Sequence, residues 1–213
     1  MLNCYKWNEI DSIPQRSGIY SWYLNLQISQ ADIVDVIQKV RIMKEESFEE
    51  AKNIIERFIN KFILNPYKED PYEVLIKGKL KPKYNGLVHN DQNEISEILV
   101  LKILDNPDIL YSLVNIISGV SPYFNSPLYI GMAKDLRKRL KQHKTNIIKL
   151  KENGTEISFD LKNDAGFARQ VVSRNMNYAN LFVHIAYCDT DNLDPSILEN
   201  ILNRINYPIF GRN

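Results

Sequence analysis

Apolar positions along this chain switch between a period of two and a period near 3.6, and each switch marks an element. Ser17-Gly18-Ile19-Tyr20-Ser21-Trp22-Tyr23-Leu24, rich in aromatic and β-branched residues behind Pro14, predicts a strand. From about Ser29 the spacing turns helical, with Ile33, Val34, Ile37 and Val40 on one face. Ser47 and Glu50, in capping-box relation, open a second helix. Its apolar face is Ile54, Ile55, Phe58, Ile59 and Phe62, and it stops before Pro66. Residues 66–91, punctuated by Pro66, Pro71, Gly78, Pro82 and Gly86, predict an irregular stretch. Helices near 92–104 and 107–118 follow, the latter after Asn106-Pro107. Pro127-Leu128-Tyr129-Ile130-Gly131 predicts a second strand, and Lys134 to Ile148 an amphipathic helix crowded with Lys and Arg. Phe167 to Asn175 predicts a helix and Leu181 to Cys188 an apolar strand. Pro195 to Ile205 closes the chain as a helix with Asp194 as its N-cap.

The order is therefore strand, helical block, strand, helix, helix, strand, helix. No internal repeat, low-complexity tract or flexible linker interrupts it. This predicts one domain over residues 1–213, with residues 29–125 as a helical insertion packed onto a small α/β unit.

Composition narrows the class further. Hydrophobic residues make up 44% and charged residues 25% of 213 residues, as in an ordinary globular protein able to bury a core without staples. The two cysteines, Cys4 and Cys188, are too few and too isolated for a disulfide framework or a zinc site, which fits a reducing cytoplasm. Met1 to Asp11 is polar, unlike a signal peptide, and no apolar run approaches the roughly 18 residues of a membrane span. Net charge is +1, so any surface that meets nucleic acid must be local.

Two tripeptides carry the chemistry. Gly18-Ile19-Tyr20 lies on the first strand, and Tyr129-Ile130-Gly131 on the second. The second is followed by Leu136, Arg139 and His143 on the basic helix, then Phe167-Ala168-Arg169 and Leu198-Glu199-Asn200 on the last helix. This set resembles the GIY-YIG nuclease family over roughly residues 15–28 and 125–213. The resemblance implies a small three-stranded antiparallel sheet flanked by helices. It implies a DNA endonuclease, as in the restriction, homing and repair-incision enzymes of the family. It also implies one divalent cation, Mg²⁺ or Mn²⁺, held by Glu199, with Tyr20, Tyr129, Arg139 and His143 around the reacting phosphate. The family's asparagine near the end of the module maps onto Asn213, somewhat late after Pro208. Met132 stands where many relatives carry lysine, and the two motif strands lie more than a hundred residues apart in place of forming a short hairpin.

The residues support that chemistry in their own right. Arg139 and His143 are four apart, so they share a helix face and can reach one phosphate. A guanidinium fork matches phosphoryl oxygens, and a lone carboxylate suffices for Mg²⁺, which keeps several waters. A phenol with an ordinary pKa of about 10 is a poor base, whereas histidine at about 6.5 suits proton transfer at neutral pH. Family resemblance favours Tyr20 as the water's base and chemistry favours His143, so both stand.

DNA contact is also open to Lys134, Arg137, Lys138 and Arg169, and to Lys77, Lys79, Lys81 and Lys83 in the insertion. A solvated surface is the competing reading for each. His89 and His184 read as structural. The rival functions are a nuclease acting on RNA or on branched or damaged DNA, and a non-catalytic DNA-binding module that keeps the fold. Cutting both strands with one site per chain calls for a homodimer, and the insertion is the place to expect its interface.

Overall fold

The structure, a computed structural model, describes residues 2–68, 72–76, 84–88, 95–153, 166–188 and 194–211. Lys77, Lys79, Lys81, Lys83, His89 and Asn213 lie outside the described residues. The class is mixed α/β, and the chain divides into two compact units, Met1–Ser29 with Tyr111–Asn213, and Gln30–Leu110. The helix expected near 107–118 is Ile109–Phe124, and most of it belongs to the first unit.

The first unit is built on an antiparallel sheet of four strands, where three were expected. They are β1 (Leu2–Lys6), β2 (Gly18–Leu24), β5 (Tyr129–Ala133) and β6 (Leu181–Tyr187), in the order β1-β6-β2-β5. β2 lies between β5 and β6, which accounts for its nearly continuous burial. β1 is the additional strand. Its alternation is masked by a polar composition because it is an edge strand with one solvated face, held to β6 from Leu2↔Ala186 to Lys6↔Phe182. A 3₁₀ turn, Trp7–Ser12, follows and buries Trp7 and Ile10.

Three helices complete this site-bearing part of the unit. α5 (Leu136–Asn153) starts where Asp135 accepts a hydrogen bond from the Lys138 N–H at 2.9 Å. It buries Leu136, Leu140, His143 and Ile147, a one-face series. α6 (Gly166–Ser173) packs against it and buries Phe167 and Val171. α7 (Pro195–Asn206) is capped by Asp194, as expected, and packs against β5 and β2.

The second unit holds α1 (Gln30–Glu46), α2 (Phe48–Ile59) and α3 (Glu97–Asp105), with α4 (Ile109–Phe124) beginning at its end. Ile33, Ile37 and Val40 of α1, Ile55 and Phe58 of α2, and Val100 and Ile103 of α3 are its buried residues. The Ser47 cap is real, since its side chain accepts from the Glu50 N–H, but the box is one-sided. The Ser47 N–H is already taken by the Met43 carbonyl at 2.7 Å, and Glu50 turns instead to Arg57. The stretch expected to be irregular contains two paired strands, β3 (Tyr72–Ile76) and β4 (Tyr84–Val88). Their β-forming residues are only five long and sit among Pro and Gly, so the punctuation outweighed the pattern.

Two glycines separate a required absence of side chain from an incidental one. A Cβ at Gly18 would collide with the Ala186 carbonyl oxygen and lie 2.9 Å from Leu136 Cδ1, whereas one at Gly119 would meet nothing within 4 Å. Gly18→Ala is expected to cost about 1–3 kcal/mol by overpacking. Gly119→Ala, inside α4, is expected to gain about 0.5–1 kcal/mol from helix propensity. Chemical denaturation of both variants checks the opposite signs.

Candidate active site

Side chains alternate along a strand, so register decides which residues meet. Tyr20 pairs with Gly131 and Trp22 with Tyr129, which places Tyr20, Trp22 and Tyr129 on one face of the sheet. Gly131 leaves that face bare at the centre. A Cβ there would stand 2.6 Å from the Tyr20 hydroxyl oxygen and 2.8 Å from Tyr129 Cε1. Its absence lets the two rings approach to 6.1 Å between centroids, tilted by 34°. Met132 pairs with Ile19 and so belongs to the opposite face.

α5 supplies the groups that meet these rings. The His143 Nε2 and the Tyr20 hydroxyl share a hydrogen bond of 2.8 Å, with both residues buried. Either atom can donate, according to the imidazole tautomer. His143 is edge-on to Phe167 at 5.4 Å and to Tyr129 at 5.8 Å, and Phe167 stacks on Trp22 at 5.4 Å. This aromatic box fixes the imidazole plane. Arg139, one turn earlier and half-buried, reaches the Tyr20 hydroxyl with its guanidinium. Its Nη1 also donates to Gln142 Oε1 at 3.1 Å. Gln142 was not singled out from the sequence, although its spacing of three from Arg139 on a helix is the signal that finds it.

Glu199, half-buried on α7, acts electrostatically on the Tyr20 hydroxyl. The site therefore gathers Tyr20, Tyr129, Arg139, His143 and Glu199 from β2, β5, α5 and α7. Burial, reinforced by Tyr129 and Glu199 and opposed by Arg139, holds the Tyr20 phenol above its ordinary pKa. Tyr20 is thus a protonated hydroxyl at neutral pH. Among the described residues no three of His, Cys, Asp and Glu gather as a metal-binding group. A lone half-buried carboxylate beside a phenol and an arginine suits a hard cation that retains water, and does not suit a cation that needs a full protein cage.

The other basic residues divide by what they touch. The Arg137 Nε donates to the Ile13 carbonyl and ties α5 to the N-terminal segment. Lys141 and Lys144 both pair with Asp11, whose carboxyl they hold below its ordinary pKa. Lys134 and Lys138 are exposed, and Arg169 is half-buried on α6. Comparison with protein-family models, with curated proteins and with solved structures gives no match.

The Tyr20 phenol makes a testable contribution to stability. Its folded pKa lies above that of the unfolded chain, so its contribution is fully present below about pH 10 and lost as pH rises through the folded value. Wild type is expected to lose stability above about pH 10 more steeply than Tyr20→Phe, by up to about 1.4 kcal/mol per pH unit. Denaturation midpoints of the two proteins between about pH 8.5 and 11 measure the difference in slope. Parallel slopes would mean that Tyr20 titrates alike in both states.

Proposed function

We propose that this chain is an endonuclease that hydrolyses phosphodiester bonds in DNA with Mg²⁺ or Mn²⁺. The observation that carries the reading is the hydrogen bond between Tyr20 and His143, with Arg139 at the same hydroxyl and Glu199 in electrostatic range. Hydrolysis needs an attacking water that loses a proton, and positive charge on the phosphoryl oxygens. Water that meets the Tyr20 oxygen gives up a proton to it as the phenol passes its own to His143 Nε2. The phenol is a relay in this scheme, because burial disfavours its anion, and His143 is the final acceptor. The new oxygen–phosphorus bond forms as the bond to the leaving oxygen breaks, and that oxygen takes its proton from solvent.

Arg139 faces the charge that grows on the phosphoryl oxygens, and Gln142 holds its guanidinium in place. Tyr129 walls the site beside Tyr20. Glu199 is the residue that would hold the divalent cation, which supplies charge neutralisation and acidifies water when bound. The unit Gln30–Leu110 is left to shape substrate choice, with pairing of two copies for double-strand cleavage.

Cleavage of supercoiled plasmid, single-stranded DNA and RNA with Mg²⁺, with Mn²⁺ and with EDTA tests the reading. Activity on DNA that depends on the cation is expected. Glu199→Gln should abolish cleavage while DNA binding stays near wild type, and appreciable cutting by it would remove Glu199 from the metal. Arg139→Ala should lower the single-turnover rate by about 10²–10³. Lys138→Ala, on the neighbouring exposed face, should cost far less. Equal losses from both would reduce α5 to a general basic surface.

A further inference from the structure

A cavity of about 620 Å³ opens at the end of the sheet where β2 runs out and β6 begins. Four of its five strand residues, Cys4, Lys6, Phe182 and His184, alternate out of phase with Tyr20, Trp22 and Val183 and so lie on the face opposite the candidate active site, while Leu181, at the start of β6, has the phase of Val183. The volume falls in the range of sites that enclose a small ligand. We infer that this cavity binds a nucleoside monophosphate, as a free nucleotide or as the unpaired end of a nucleic-acid strand.

Three features of the lining carry the inference. The first is aromatic. Phe182 is held flat by stacking on Tyr23 at 5.4 Å and 17°, and Trp7 packs on Tyr178 at 5.1 Å. Tyr123 lines the cavity while remaining 84% exposed, so it forms the rim and its ring is open to a planar partner. Bases stack on such rings whatever their identity. The second feature is a set of side-chain amides. Asn25 and Gln27 line the cavity just past β2, and the Asn25 Oδ1 is buried with no hydrogen-bond partner among the described residues. Side-chain amides at the wall of a cavity offer both donors and acceptors to the edge of a base.

The third feature is charge. Among the described lining residues Lys6 is the only Lys or Arg, and none is acidic. The nearby Glu9 accepts from the Lys6 backbone N–H at 2.8 Å. Burial lowers the pKa of His184 and raises that of Cys4, so both are neutral at pH 7. One cation, several amides and an aromatic wall match a base that carries a phosphate. They match a purely apolar ligand or a polyanion poorly.

This inference is independent of the nuclease reading, because none of these residues belongs to the proposed catalytic set. Isothermal titration of the full chain with adenosine, AMP, GMP, CMP and TMP, and with single-stranded trinucleotides, tests it. Nucleotides are expected to bind at least ten-fold more tightly than adenosine, and Lys6→Ala should erase that difference. Tyr123→Ala, at an exposed position, should weaken every nucleotide by about five- to a hundred-fold, the range for loss of one base–aromatic stack. Trinucleotides that bind more tightly than mononucleotides identify a strand end as the natural source. Mononucleotides that bind at least as well identify a free nucleotide. No binding at millimolar concentration overturns the inference, as does an affinity unchanged in both Lys6→Ala and Tyr123→Ala.

Discussion

A phenol buried in an apolar interior must find a hydrogen-bond partner, and the arrangement of the first unit follows from where Tyr20 finds its own. Its hydroxyl meets His143, which belongs to a helix that begins more than a hundred residues later in the chain. Three conditions have to hold together for that contact. β5 must pair with β2 in a register that sets Gly131 opposite Tyr20. Position 131 must lack a side chain, since the space of its Cβ is occupied by the two tyrosine rings. α5 must also be phased so that His143 falls on the buried series with Leu136, Leu140 and Ile147. A one-residue slip of β5 would turn Tyr129 to the other face and bring Ile130 against Tyr20, so the hydrogen bond also guards the register.

This dependence explains why the grouping of these side chains was legible in the sequence. Glycines that must be glycine, tyrosines on alternate strand positions and a helix spacing of four are local patterns, and each survives without knowledge of the fold. The elements that escaped are those with weak local signals. β1 is an edge strand whose composition is set by solvent on one side, so its pattern resembles a polar tail. β3 and β4 are five residues each, too short to outweigh the prolines and glycines around them. Ser47 and Glu50 have the spacing of a reciprocal cap, but spacing cannot tell that the Ser47 N–H already belongs to the preceding helix. Gln142 escaped because its importance comes from what Arg139 does, and not from its own chemistry.

The distance between the two motif strands looks like an obstacle and is a small one physically. The entropy of closing a loop grows only with the logarithm of its length. The intervening residues also do not behave as a loop, because α1, α2 and α3 bury a core of their own. The β2–β5 ladder then has to recover only its own pairing cost. It does so through five paired positions, the glycine approach and the aromatic contacts across it.

Charge shows why composition said little about chemistry. The helix richest in lysine and arginine suggests a surface for phosphates, yet several of its cations have structural partners. Arg137 holds the Ile13 carbonyl, Lys141 and Lys144 hold Asp11, and Lys151 lies over the Tyr178 ring at 4.7 Å. The contacts of Arg137, Lys141 and Lys144 fasten α5 to the 3₁₀ turn Trp7–Ser12 and to Ile13 just after it. Arg139 differs in kind. It faces a phenol whose burial makes negative charge on its oxygen costly, so a cation placed there lowers that cost. A net charge of +1 is compatible with such a site, because one guanidinium in a partly desolvated position outweighs several lysines spread over a solvated face.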